Sequence, residues 1–463
     1  MNKLNPALAL VLVAAWVTAC STMQPPAGSG SQIAQEASAL NAPEAWAFGP
    51  EVDGDVADTW AGIIRDDALL ALMAEALAAN PGLRASAENV RRSESFLRQS
   101  RSGLLPGVGA GAGASGSSDL EDFDLTERYT ASLDASWEAD LWGAIRSDIL
   151  ASEFDLQSAE AVYRASRESL AAGVARAYVF AIDARHQVDL TRATLTAQEE
   201  TLRIVNVRYE LGAASRREQV LAESDVANAR DSLELALASQ RSAIRALEVL
   251  LGRYPDGTMN VPDALPVVVD VVLAGQPADF VRRRPDVLSA EAGVRAAFAS
   301  TDVTRASRWP SLSLSGGVSS ATSDLADVID PAALALSLGL RLAGTLFDGG
   351  LTDARIAAAE ASGQIALANY GAAVLDAFAD VEGRLDDVET LRSRATFVET
   401  AAENARETLQ LAEIQYKEGA IDLLDVLTFR QRSFQADRTL LSLRRSEIES
   451  RITLYLALGG AIE

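Results

Sequence analysis

The sequence predicts a mixed α and transmembrane-β protein with an internal two-fold repeat. Three observations predict it. Two short segments alternate apolar with small or polar residues at period two, each within a non-helical insert that offers a second strand, two long proline-free tracts carry helical periodicity, and the chain copies itself about 204–207 positions further on.

The chain has 463 residues, of which 41 are Lys or Arg and 65 are Asp or Glu, for a formal charge of −24. Nucleic-acid affinity comes largely from cations on phosphates, so this balance argues against a nucleic-acid partner. It suits a solvated surface or a lumen that prefers cations. Lys3 and the apolar run Ala7–Trp16 form a segment too short to span a bilayer and suited to secretion, so residues 1–19 read as a signal peptide. Val17, Thr18 and Ala19 then precede Cys20, the only cysteine. This resembles a bacterial lipobox, which implies cleavage before Cys20 and its acylation. Ser21 after it implies sorting to the outer membrane. One cysteine excludes an intrachain disulfide. Residues 20–60 are rich in Ser, Ala, Gly and Pro, and read as a lipid-anchored tether.

The first repeat is assigned to 61–252, a proline-rich linker to 253–280 and the second repeat to 281–463. Residues 81–106 and 285–310 both begin and end with Pro. Val90, Arg91 and Arg101 match Val294, Arg295 and Arg305. Gly212 to Leu251 and Gly419 to Leu458 both span 39 positions. No proline falls between Pro106 and Pro255, or after Pro331. Helices from residue 144 to about Tyr209 and from about Thr352 to Tyr416 are therefore predicted, each followed by a glycine break and a second helix. The first would be roughly 100 Å long at 1.5 Å per residue. Leu233, Leu237, Ile244, Leu247 and Leu251 form one seam, and Leu441, Ile448, Ile452 and Tyr455 the other, as in coiled-coil-like pairs.

Strands are expected at about 106–118, 128–140, 309–320 and 332–347. In the second, Tyr129, Ala131, Leu133, Ala135 and Trp137 alternate with polar residues. In the fourth, Leu334, Leu336, Leu338, Leu340 and Leu342 alternate with smaller side chains and one Arg. Such lengths suffice to cross a bilayer when tilted. Trp137, Trp142, Trp309 and Phe347 gather where strands meet helices, as an interfacial girdle would. Four strands cannot close a barrel, and an open edge cannot sit in lipid. Several copies must then share one barrel, and three would give twelve strands. The plainer reading is a soluble sheet packed on a helix, within a lipid-anchored periplasmic coiled-coil scaffold that has no pore.

No catalytic set is visible. His186 is the only histidine, which argues against a His-based triad and excludes a multi-His metal site. "GVGAGAG" lacks the Lys-Ser/Thr and the strand-to-helix setting of a phosphate loop. No cofactor and no metal are expected.

The stretches 66–91 and 281–316, the "LFDGG" at 346–350 and two "Y-x-x-G-A" breaks resemble the TolC-like outer-membrane efflux channels. The Arg283-Arg284-Pro285-Asp286 run points to their lipoprotein branch, which includes the OprM and NodT groups. The resemblance covers about residues 42–460. It implies a homotrimer with a shared twelve-stranded barrel above a long helical barrel in the periplasm. It further implies a periplasmic adaptor and an inner-membrane pump of the resistance-nodulation-division class as partners, and drugs, toxic compounds or metals as cargo. Glu218 and Asp425, each six residues after a glycine break, match acids at the family's periplasmic aperture, where Asp422 is also placed. Tyr416 matches a Tyr that holds the neighbouring helix pair shut by contacting the first-half acid. The family's usual Arg two after the second glycine is Ile421 here, and the acid common nine after it is Thr428. Arg216, Arg217 or Lys417 are the substitutes within reach. Leu211, Gly212 and Ala213, with Glu418, Gly419 and Ala420, match the tips that dock the adaptor.

If Cys20 carries the anchor, Cys20→Ser abolishes incorporation of labelled palmitate. Persistent label on the variant refutes the assignment.

Overall fold

The computed structural model describes residues 29–39, 45–48, 56–118, 125–269, 275–280 and 282–460. The signal peptide, Cys20, about half of the tether and the acidic stretch 119–124 lie outside the described residues; the described part of 20–60 departs from a free tether, since Ser29–Ala39 is helical and Ile33, Trp46, Val56 and Trp60 bury their apolar side chains. In chain order the elements are helices α1 (Ser29–Ala39), α2 (Asp67–Ala79) and α3 (Pro81–Ser102), strands β2 (Gly107–Ser118) and β3 (Leu125–Ala139), and helices α4 (Ala144–Glu210) and α5 (Arg216–Leu250). The plan then recurs as α7 (Pro285–Ala306), β5 (Ser311–Thr322), β6 (Leu334–Ala343), α8 (Leu351–Lys417) and α9 (Leu423–Ala457). A two-residue strand β1 (Ile64–Arg65) pairs with β4 (Val267–Val268), and α6 (Pro277–Phe280) precedes the second copy. Among the described residues no helix is long and apolar enough to cross a membrane.

The chain divides into two compact units. One comprises 1–39, 90–159 and 289–371, and the other 40–89, 160–288 and 372–463.

The first unit holds a four-stranded antiparallel sheet in the order β2-β3-β5-β6. Residues opposite one another in a ladder share a face. The register puts Val108, Ala135, Gly316 and Leu338 in one row. The adjoining rows on that face are Ala110, Leu133, Val318 and Leu336, and then Trp137, Leu314 and Leu340. The opposite face is small and polar. Gly109, Asp134, Gly317 and Ser337 form one row, Gly111, Ser132, Ser319 and Ala335 another, and Glu138, Ser313 and Arg341 a third. The Gly/Ala alternation of β2 is thus a period-two pattern written in very small residues. A Cβ on Gly111 would lie 3.1 Å from the Ser132 hydroxyl, so glycine lets the two strands keep their polar side chains between them. The apolar face is bare in the protomer, with Leu338 80% exposed. Strands β2 and β6 each pair on one side only.

Two boundaries depart from expectation. Strand β3 begins at Leu125 rather than 128, because pairing with β2 runs on to Ser118↔Leu125. Strand β6 ends at Ala343 rather than 347, because its partner β5 begins after Pro310, which has no N–H to donate. Gly344 packs where a Cβ would come within 2.9 Å of the Pro310 ring. Phe347 therefore lies outside the sheet. The acids at 324 and 330 are turn formers: Asp324 accepts from the Ala326 N–H and Asp330 from the Ala332 N–H, both at 2.9 Å.

Both long helices leave the sheet through capped turns. Asp140 accepts from the Ile145 and Arg146 N–H groups and from the Arg146 side chain. Asp348 accepts from Gly350 and Thr352, with Gly349 and Gly350 at positive φ. The repeat also duplicates an ion pair. Arg101 meets Glu153 at 2.7 Å, and Arg305 meets Glu360 at 2.8 Å.

In the second unit the Arg-Arg-Pro-Asp run is a knot. Arg284 is held by Asp286, by Asp380 of α8 at 3.0 Å and by the Ala457 carbonyl at the end of α9 at 2.9 Å. Arg283 donates to the carbonyls of Val56 and Ala57 and to Asp58. Tyr455 donates to the same Ala57 carbonyl and stacks edge-on against Trp60, whose indole N–H reaches the buried Glu168. The start of the second repeat is thereby tied to its own last helix and to the segment that precedes the first repeat. His186 bonds to the Asp263 carbonyl, which fastens the linker to α4.

Candidate functional site: the helix tips

The two glycine breaks sit at the far ends of α4 and α8. Each is a left-handed glycine closing a helix, with φ of 71° at Gly212 and 77° at Gly419. Gly212 N–H bonds to the Tyr209 carbonyl and Ala213 N–H to the Arg208 carbonyl. The second turn repeats this with Gly419 to Tyr416 and Ala420 to Gln415. Both patterns satisfy carbonyls that the helix end would leave bare. A Cβ on either glycine would meet nothing within 4 Å. Backbone conformation, rather than crowding, requires glycine there. Leu211, Gly212, Ala213, Glu418, Gly419 and Ala420 are all exposed.

The acids six residues on have a local role. Ser215 caps α5, accepting from the Glu218 N–H, while the Glu218 carboxylate accepts from the Ser215 N–H at 2.6 Å and from its hydroxyl at 2.8 Å. These bonds, and the charges of Arg208 and Arg217, hold the Glu218 carboxyl below its ordinary pKa. At the second tip Asp422 caps α9 through the Asp425 N–H at 3.0 Å, which leaves Asp425 exposed on the first turn. The spacing that marked Glu218 and Asp425 is the third helical position of a capped start. "SRRE" at 215–218 is the readable signal for it.

Tyr416 and Glu218 make no hydrogen bond to each other within the protomer. Tyr416 instead packs on an apolar cluster of Val205, Ala222, Leu423 and Leu427. The Arg208 guanidinium lies 4.9 Å from its ring centroid. Arg208 thus touches Tyr416 and also acts by charge on Glu218. Among the cations considered from sequence, Arg216 turns to Gln219 and Glu223 on its own helix. Lys417 lines a cavity of about 650 Å³ together with Ile204, Arg208, Glu413, Tyr416 and Arg430. Sequence reasoning overlooked Arg208 and Arg430. Both are ordinary helix-face cations until the packing of α4 against α8 and α9 is known.

At the sheet end, the Trp137 indole N–H donates to the Leu104 carbonyl and that of Trp142 to the Pro310 carbonyl. Trp142 and Trp309 stack at 5.3 Å. These three rings clasp the turns next to the sheet, whereas Phe347 is 89% exposed. Among the described residues no group of three or more His, Cys, Asp or Glu is placed to hold a metal ion.

A bare apolar sheet joined to paired long helices defines the TolC-like class of outer-membrane channel. The outer membrane efflux protein family matches residues 72–253 and 278–460, and the chain belongs to that family. The pyoverdine export outer membrane protein OpmQ of Pseudomonas aeruginosa is 29% identical, over 98% of this chain and 96% of that one. The cation efflux system protein CusC of Escherichia coli is 27% identical, over 87% and 88%. The open state of the Neisseria gonorrhoeae MtrE outer membrane channel superposes with a TM-score of 0.82 at 26% identity, covering 92% of this chain and 96% of that one. The protein is an outer-membrane channel of a tripartite efflux pump.

Replacing Ser215 by alanine removes the cap of α5, a loss of about 1 kcal/mol. Amide exchange in the first turn of α5 should accelerate by roughly fivefold, with the α4 amides above Thr201 unchanged. Equal exchange in both proteins would mean that the box does not hold this turn.

Proposed function

We propose that three copies of this chain, each anchored through a lipid on Cys20, close a twelve-stranded barrel over a periplasmic helical duct. The duct passively conducts small molecules from a periplasmic adaptor and inner-membrane pump to the exterior. The observation that carries this reading is the sheet: a largely apolar face, a small polar face and two half-paired edges. Lipid demands that each edge find a strand, and another copy supplies one. Trp137, Trp142, Trp309 and Phe347 then stand at the periplasmic interface of the bilayer. Leu211, Gly212, Ala213, Glu418, Gly419 and Ala420 are the adaptor-docking tips, which is consistent with their exposure.

Relatives of similar identity are named for pyoverdine, toluene and cation efflux. That spread supports a duct whose cargo is selected elsewhere in the pump. At its periplasmic end Glu218, Asp422 and Asp425 form an acidic aperture. Three-fold repetition of exposed acids around a narrow opening attracts cations.

The test is single-channel recording in planar bilayers. The protein should form stable pores with cation preference, and Asp425→Asn should lower that preference without lowering the yield of assembled protein. Pores of unchanged selectivity would place the aperture elsewhere. Absence of pores from correctly assembled protein would favour a lipid-anchored scaffold.

A further inference from the structure

We infer that Arg430 is the clasp that holds the α8–α9 hairpin on α4, and that it thereby positions the tips. The inference rests on the reading of those tips as the channel's aperture. The Arg430 side chain is only 11% exposed, and its one guanidinium joins three helices. From α9, one nitrogen donates to the Glu413 carboxylate of α8 at 2.6 Å. The other donates to the Thr201 hydroxyl of α4 at 2.6 Å, with the Ala197 carbonyl at 3.3 Å and the Gln198 side chain at 3.4 Å. A planar fork can serve both directions at once, whereas an ammonium offers a single point. Nearer the tip the same helices meet through the apolar cluster that holds Tyr416.

The other polar contacts near the tips lie largely inside one hairpin. Gln219 bonds to Asn206 and Arg230 to Glu199 between α5 and α4, and Arg406 bonds to Asp437 between α8 and α9. Arg208 on Tyr416 joins the hairpins, but through a ring face. The clasp is also one-sided in the repeat. The position that corresponds to Arg430, 207 residues earlier, is Glu223, which turns to Arg216 on its own helix. The clasp is therefore present in one half of the repeat and lies between hairpins rather than within one; further from the tips Arg445 of α9 also faces Asp183 of α4, at 3.7 Å.

Its groups suit release without collapse. The Thr201 hydroxyl keeps its own bond to the Ala197 carbonyl at 2.9 Å, and Glu413 has water access. A further charged neighbour is Asp225 on α5, half-buried, with its carboxyl pushed up by burial and drawn back by Arg430. Withdrawing the guanidinium leaves these groups solvated or bonded, so the hairpins part while the helices persist.

The proposal is tested by pulsed electron resonance between nitroxide labels at Ala420→Cys in the otherwise unaltered protein, whose lipid-bearing Cys20 offers the label no free thiol. Each trimer then reports one distance across the ring of tips. Arg430→Gln should lengthen that distance and raise the resting open fraction by roughly tenfold, the factor expected for one charge-assisted hydrogen bond. Arg430→Lys should fall between it and the parent. Thr201→Val, which removes one acceptor and leaves the charge, should lengthen the distance less than Arg430→Gln. An unchanged distance in Arg430→Gln overturns the clasp, whatever the conductance does. A longer distance with unchanged conductance keeps the clasp and removes the aperture reading instead.

Discussion

The backbone of β2 and β6 sets the constraint on which the rest depends. Each strand has one paired and one unpaired side, and the unpaired groups cannot be left in hydrocarbon without a cost of several kcal/mol each. A four-stranded sheet with a bare leucine face is therefore an incomplete object. In water that face would need covering, and in a bilayer its edges would need closing. Assembly with further copies resolves both problems at once, since lipid takes the face and neighbouring strands take the edges.

The sequence devices around the sheet serve that end. Glycine in β2 keeps the polar face small, and serine and glycine in β5 do the same, so that side carries few bulky groups. Pro310 and Gly344 stop the ladder. Asp140 and Asp348 then restart the chain as helix within a few residues. In the second unit the same economy appears as two left-handed glycines and two capped helix starts, which make sharp tips with no crowding around the glycines. The two halves are alike in these backbone devices and differ in the side chains that join hairpin to hairpin. Arg430 is the clearest difference, because a duplicated chain would place a second copy of it at position 223 and this one has Glu223 there.

Much of this was legible beforehand because it is local. Proline-free tracts ended by glycine placed α4, α5, α8 and α9 within a residue or two. Period-two alternation placed β3 and β6, and β2 and β5 followed as the outgoing arms of the same two non-helical inserts. What sequence reasoning overlooked depends on who meets whom. The end of β6 was overrun by four residues because the leucine alternation fades before Phe347 without a break, and only pairing with a strand that starts after Pro310 shows where the ladder stops. Family resemblance makes Glu218 and Asp425 aperture acids, although "SRRE" also spells a capping box, a chemistry that the same carboxylate can serve together with the other. Arg430 was unreadable. Its partners lie 17 and 229 positions away, and no periodicity links them.

The central claim is that one chain cannot complete the membrane-spanning structure. Native mass measurement of the detergent-extracted protein tests it most directly. The account predicts three chains per particle, with β content lost whenever the particle falls to one chain. A folded monomer that keeps its full β content would contradict it.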